Sequence, residues 1–307
     1  MHLRAVAARW GSRVCNGALA SRPRPGNGAL MLMRTPLPQA VPAFIRARGG
    51  VRLVIEPTAR GAAPVRVAES GGYRVRFPNA GASCEAVLLN TGGGMAAGDR
   101  MSIEVELAGG AQAVVTTQAA EKVYRSEDAD TEVTVDLRLA AGSRLEWLPQ
   151  EQILFDGARF RRTLACEIAT GAALTLCESV MFGRTARGET LREGLFRDRW
   201  RIRRDGRVVF AEDVKLEGDI EDALSRRALG GGARATATVL HVSLEAESRR
   251  EPAREALENA TSECGVSAWN GMLVARFLSP APQALRADLV RFLERFRGAP
   301  MPRSWQT

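Results

Sequence analysis

Histidine is almost missing from this 307-residue chain: His2 and His241 are the only two. A tight nickel or zinc site is normally built from clustered His and Cys, and a Ser-His-Asp or Cys-His arrangement would have to rest on His241. That residue lies inside the apolar run Thr238–Val242, the setting of a hydrogen-bonded core or edge histidine. The scarcity argues against a stable metal cofactor and against a nucleophilic hydrolase. Cysteine is also sparse and odd in number (Cys15, Cys84, Cys166, Cys177, Cys264), with no C-x-x-C pair. That argues against a disulfide framework or a structural zinc site and fits a reducing cytoplasm. No apolar run approaches the ~18 residues that a membrane-spanning helix needs.

Lysine occurs only at Lys122 and Lys215, and the first fifty residues hold eight arginines and no acid. Beyond them the remaining 35 basic side chains equal the 35 acids, so the formal charge of +8 belongs to the N-terminus. The body is formally neutral, whereas nucleic-acid binding calls for a basic face on the folded domain. Residues 1–45 have the Arg-, Ala- and Ser-rich, acid-free composition of an organelle transit peptide, while Arg9 and Arg13 interrupt any secretory h-region. Seven prolines and glycines between Pro23 and Pro42 break any regular element there. This stretch reads as a disordered extension or one translated from an early start, with Met31 and Met33 as later ones; the globular domain is expected over 46–307.

What is present is β structure. Thr131–Leu139 (TEVTVDLRL) alternates polar and apolar for nine residues, the period-2 signal of a half-buried strand. Ala113–Thr117, Leu145–Leu148, Phe160–Ile168 and Ala173–Cys177 are shorter versions, separated by Gly-containing turns. Trp200–Leu216 reads as a hairpin turning at Asp205-Gly206, and Val266–Leu278 as another turning at Asn270-Gly271. Helices come late: Asp219–Leu229, Pro252–Asn259, and best of all Pro282–Arg297, whose Leu285, Leu289, Phe292, Leu293 and Phe296 follow helical spacing before Gly298 and Pro300 stop it. Strands without intervening helices exclude a doubly wound α/β fold. They leave a sandwich, a barrel or a β-solenoid, and no clean 20–30-residue repeat selects among these.

Five segments carry what chemistry there is. Thr91–Asp99 (TGGGMAAGD) is glycine-rich but lacks the G-K-[ST] ending of a phosphate loop, so it reads as a tight turn fixed by Asp99. Thr116–Ser126 (TTQAAEKVYRS) sets Lys122, Tyr124 and Arg125 at a strand end, a candidate contact patch. Trp147–Arg159 (WLPQEQILFDGAR) holds Glu151 and Asp156, either turn caps or a glycosidase acid/base pair. Glu178–Glu189 (ESVMFGRTARGE) places Glu178 among Leu176, Val180 and Phe182, as Glu212 sits among Val209, Phe210 and Val214. A carboxylate buried in such a strand is costly unless it is paired, for instance with Arg184 or Arg203, or bound to a cation. The fifth segment is Met301–Thr307 (MPRSWQT), where Arg303 and Trp305 suit an exposed binding anchor.

In this order and at these separations, the five segments resemble the urease accessory protein D family (also called H), from about Arg46 onward. The resemblance implies a mainly β fold, an irregular two-layer right-handed β-helix with a few, mostly C-terminal helices. It also implies a cytoplasmic non-enzyme: a scaffold or chaperone that binds apo-urease and accessory proteins F and G, with E acting indirectly, for nickel insertion into the urease active site. The family's internal path for nickel would run past Glu178 and Glu212. Nickel would be in transit rather than a bound cofactor, and carboxylate oxygens, weaker nickel ligands than imidazole or thiolate, suit passage. Lys122, Tyr124, Arg125, Arg303 and Trp305 are the partner-binding candidates; neither nucleic acid nor membrane is expected as a partner. The alternative from another class is a β-helix polysaccharide lyase or hydrolase, which would need a groove of carboxylates or arginines and, usually, secretion.

Overall fold

The computed structural model describes residues 46–78, 83–127 and 129–306; the N-terminal stretch 1–45 lies outside the described residues. Chain order is β1 (Arg48–Thr58), β2 (Gly61–Glu69), β3 (Tyr73–Arg76), β4 (Cys84–Asn90), β5 (Arg100–Leu107), β6 (Gln112–Thr117), β7 (Glu121–Val123), β8 (Thr131–Leu139), β9 (Arg144–Leu148) and β10 (Gln152–Leu154). Then come β11 (Arg159–Ile168), β12 (Ala173–Phe182), β13 (Glu193–Arg204), β14 (Arg207–Asp219), α1 (Ile220–Ser225), β15 (Ala235–Val242), α2 (Arg250–Glu255), β16 (Glu263–Trp269), β17 (Met272–Ser279) and α3 (Pro282–Arg297).

Between β4 and β13 the long strands alternate between two sheets and stack in parallel on the preceding coil. One sheet runs β14-β13-β11-β8-β5-β1-β2, the other β16-β17-β15-β12-β9-β6-β4-β3. Cys84, Ala113, Leu145 and Leu174 are neighbours on successive coils, and so are Met101, Val133, Arg162 and Asp198 on the opposite sheet. The rungs are roughly 30 residues apart, inside the range of solenoid repeats. This is the two-layer β-solenoid body expected above, with its helices near the C-terminus. Antiparallel hairpins close both ends: β1–β2 and β3–β4 at the start, β13–β14 and β15–β17–β16 at the finish.

Period-2 patterning decides what faces inward. In β8, Thr131, Val133, Val135, Leu137 and Leu139 are buried while intervening residues are not. A first core lies between the sheets. β12 is buried on both faces because a second core covers its outer side: Cys177 packs with Leu285, Leu289, Phe292 and Leu293 of α3. α3 spans the bounds its apolar spacing predicts, and the hairpins turn at Asp205-Gly206 and Asn270-Gly271, all four in the left-handed region.

Three expectations need adjustment. β12 continues from Cys177 to Phe182, which brings Glu178 inside the strand. α1 covers only Ile220–Ser225, capped by Asp219, whose carboxylate accepts the Asp222 amide. α2 begins at Arg250, two residues before the proline expected to open it.

Four of the five sequence segments singled out above form one corner of the solenoid. Met95, Val123, Leu154 and Phe182 are stacked neighbours on four successive coils, all buried. Backbone bonds tie them: the Tyr124 amide donates to Met95 O at 2.9 Å, Phe155 to Val123 O at 3.0 Å and Gly183 to Leu154 O at 2.8 Å. Two glycines have steric reasons. Gly94, at φ +148°, lies under the Tyr124 ring, and Gly183, at φ +92°, abuts the backbone of Glu189 and Thr190.

Candidate functional site

Inward-facing positions of β11 and β13 read Phe160, Arg162, Leu164 and Phe196, Asp198, Trp200, so strand alternation drives one arginine and one aspartate into the inter-sheet core. They are register neighbours. Glu178 of β12 reaches them from the opposite sheet. Arg162 is 2% exposed, Glu178 4% and Asp198 8%. Arg162 Nε donates to Asp198 Oδ1 at 2.9 Å and its Nη1 donates to Glu178. Trp147 Nε1 donates to Glu178 Oε1 at 2.8 Å, and Trp200 Nε1 to Asp198 Oδ1 at 2.8 Å.

Two carboxylates thus share one guanidinium out of water. Burial pushes the Glu178 carboxyl up to about 7; Arg162 pulls it back and the charge on Asp198 adds to the rise. Burial also works against the charge on Arg162, but the two carboxylates outweigh it and hold its pKa above the ordinary value.

Glu212 lies in a second inter-sheet link. It is half-buried on β14, and Arg276 of β17 donates Nη1 to its Oε1 at 2.9 Å and to Thr238 Oγ1 at 3.3 Å. Thr238 is the register neighbour of Glu178 on β15, and Trp200 that of Glu212 on β13. The two acids chosen from sequence therefore belong to one polar seam, Glu178–Arg162–Asp198 and then Glu212–Arg276–Thr238. Their counter-ions are Arg162 and Arg276; Arg184 and Arg203 instead pair with Glu189 and Glu167.

The remaining candidates fall elsewhere. Lys122 and Arg125 are exposed, while Tyr124 packs on Gly94 and donates its hydroxyl to Gly93 O at 2.9 Å, clamping the glycine-rich turn. Asp99 fixes that turn from below: it accepts the Ala96 amide at 2.7 Å and, across the chain, the Ala47 amide at 2.8 Å. Glu151 and Asp156 are each held by an arginine, Arg286 and Arg192, and Asp156 also accepts backbone amides. Asp156 caps its turn, whereas Glu151 is an ion-pair fastener to α3.

Trp305 corrects an expectation. It is not an exposed anchor: it is 5% exposed, with Nε1 donating to Thr116 Oγ1 at 3.0 Å and Leu148 O at 3.2 Å. Arg286 lies over the ring, 4.9 Å from its centroid. An indole that finds both an apolar wall and a carbonyl is more stable buried than in water. Arg303 alone of that pair stays exposed.

His241 is a core histidine, as its apolar run implied: Nδ1 meets Thr175 Oγ1 and Nε2 meets Ser243 Oγ, each at 3.0 Å. Burial lowers its pKa to about 4. Among the described residues no group of three or more His, Cys, Asp and Glu could hold a metal ion.

Fold and site together define a β-solenoid protein whose interior is threaded by paired charges. The profile described as "UreD urease accessory protein" matches residues 47–306. A urease accessory protein UreD of Methylobacterium sp. (strain 4-46) is 51% identical over 247 residues, covering 78% of this chain and 88% of its own. The urease accessory protein UreD 3 of Methylorubrum extorquens (strain PA1) is 47% identical over 285 residues, 89% and 96% of the two chains. That of Azorhizobium caulinodans is 45% identical over 261 residues, 85% and 96%. The chain belongs to the UreD family of urease accessory proteins.

Proposed function

We propose that this chain is a maturation scaffold for urease that performs no bond chemistry itself. It binds apo-urease and accessory proteins F and G, with E acting indirectly, and nickel crosses its interior on the way to the urease active site. The observation that carries the reading is the seam: Glu178 and Asp198 face each other between the sheets around a single arginine, and Glu212 continues the line to Arg276 on β17. Anionic oxygens in a low-dielectric interior lower the cost of a partly dehydrated divalent ion. They hold nickel less tightly than imidazole or thiolate would, and burial raises the pKa of the Cys166 and Cys177 thiols, away from the thiolate form that binds metal.

Partner binding is supported at the edges. Val65 and Val67 on β2, Val208 and Val214 on β14 and Trp269 on β16 are exposed apolar side chains on edge strands, the surface that other chains cover. Lys122, Arg125 and Arg303 supply exposed cations for such contacts. A cytoplasmic location is part of this reading, and no helix among the described residues is long and apolar enough to cross a membrane.

The test is urease activity in a nickel-supplied host carrying the urease structural genes and accessory proteins E, F and G, with or without this chain. Activity that depends on the chain is the expected result. Equal activity in its absence would discard the maturation role.

A further inference from the structure

Near the start of the solenoid, between the two sheets, lies a cavity of about 260 Å³. Val51, Leu88, Met101, Ile103 and Tyr73 make an apolar wall, and Glu121 and Asn90 supply its polar end. It is smaller than the ~300–1,000 Å³ of ordinary small-molecule pockets and suits one side chain rather than a nucleotide.

Glu121 differs from other acids that face the interior between the strands. Glu146, Glu151 and Glu212 each hold an arginine at ion-pair distance, as does the fully buried Glu178. Glu121 accepts only the Asn90 side-chain amide, at 3.0 Å, and no arginine or lysine among the described residues reaches ion-pair distance to it. Lys122, its neighbour on β7, lines the rim of the cavity and is exposed; its charge favours the Glu121 carboxylate from a distance without forming an ion pair. The other titratable groups bearing on Glu121 are Asp99 in the glycine-rich turn and Tyr73 on β3. Neither can supply a positive charge.

A carboxylate at the polar end of an apolar recess is the complement of a cation on an apolar stem. We propose that this pocket is a binding site for an organic cation, a guanidinium carried on an aliphatic chain, as presented by an arginine side chain of a protein partner. The stem lies against Val51, Leu88 and Ile103 while the head pairs with Glu121, completing the ion pair that the fold leaves open. With the pocket empty, burial pushes the Glu121 carboxyl up to about 7. Binding therefore competes with a proton and strengthens as pH rises.

The minimal probe is n-butylguanidinium, titrated against the full chain by ligand-observed NMR at pH 5.5 and pH 8, with n-pentanol as the neutral control. The expected result is saturable binding about tenfold or more tighter at pH 8, lost by a similar factor in Glu121→Gln. The pH comparison needs no substitution, so the proposal is testable even if the variant folds poorly. Binding indifferent to pH and to Glu121→Gln, or n-pentanol binding as tightly as the cation, would overturn it. So would displacement of the probe by an equimolar amount of nickel, which would make the pocket a metal site.

Discussion

Glu178 and Glu121 are both pushed up to about 7, first of all by burial, yet they sit in opposite situations. Glu178 has a cation and shares it: Arg162 must serve Asp198 as well, so the seam holds one negative charge too many. Glu121 has no ion-paired cation among the described residues and borders an open recess. The same raised pKa thus marks a crowded site in one region and an incomplete one in the other. The crowded site suits an ion passing through; the incomplete site suits a charge arriving from outside.

The largest effect is expected at the shared cation. Arg162→Met leaves two buried carboxylates unpaired and should destabilise the fold by ~3–5 kcal/mol at pH 8. Part of that loss should return at pH 5, where the Glu178 carboxyl takes up a proton; urea unfolding at the two pH values measures it. Trp305→Phe is a control away from both acids. It strips Thr116 Oγ1 and Leu148 O of a buried donor and should cost ~1–3 kcal/mol, with no pH dependence between 5 and 8.

Glu178→Gln removes the titrating charge alone. The folded pKa of about 7 lies above the ordinary value of 4.5, so the stability this group contributes is complete below 4.5 and is lost as pH rises through 7. Melting curves from pH 5 to 8 should show the variant gaining on the parent as pH increases. Glu121→Gln should show the same sign with a smaller amplitude, because its site is half-buried. Saturating n-butylguanidinium should abolish the effect at Glu121 and leave that at Glu178 untouched.

Much of the fold was legible in the sequence. Thr131–Leu139 and Pro282–Arg297 have the bounds their periodicity implies. The coil repeat was not, because it lies in stacked positions such as Met95, Val123, Leu154 and Phe182, whose side chains share only burial. Their spacing was the available signal. Arg162 and Asp198 were missed although strand alternation already placed them inward, between Phe160 and Leu164 and between Phe196 and Trp200. Trp305 misled because an aromatic near a chain end reads as exposed, whereas its partners Thr116 and Leu148 are more than 150 residues distant in sequence.

The most direct test of the account is the nickel content of urease matured with Glu178→Gln beside Glu121→Gln in the reconstituted host. Glutamine keeps the shape of each site, and Trp147 can still donate to it at position 178. The account predicts that complexes of urease and accessory proteins assemble with Glu178→Gln while urease acquires less nickel, and that Glu121→Gln does not slow nickel transfer within complexes that do assemble. Full nickel loading through the Glu178→Gln chain would contradict it and place the path outside the seam.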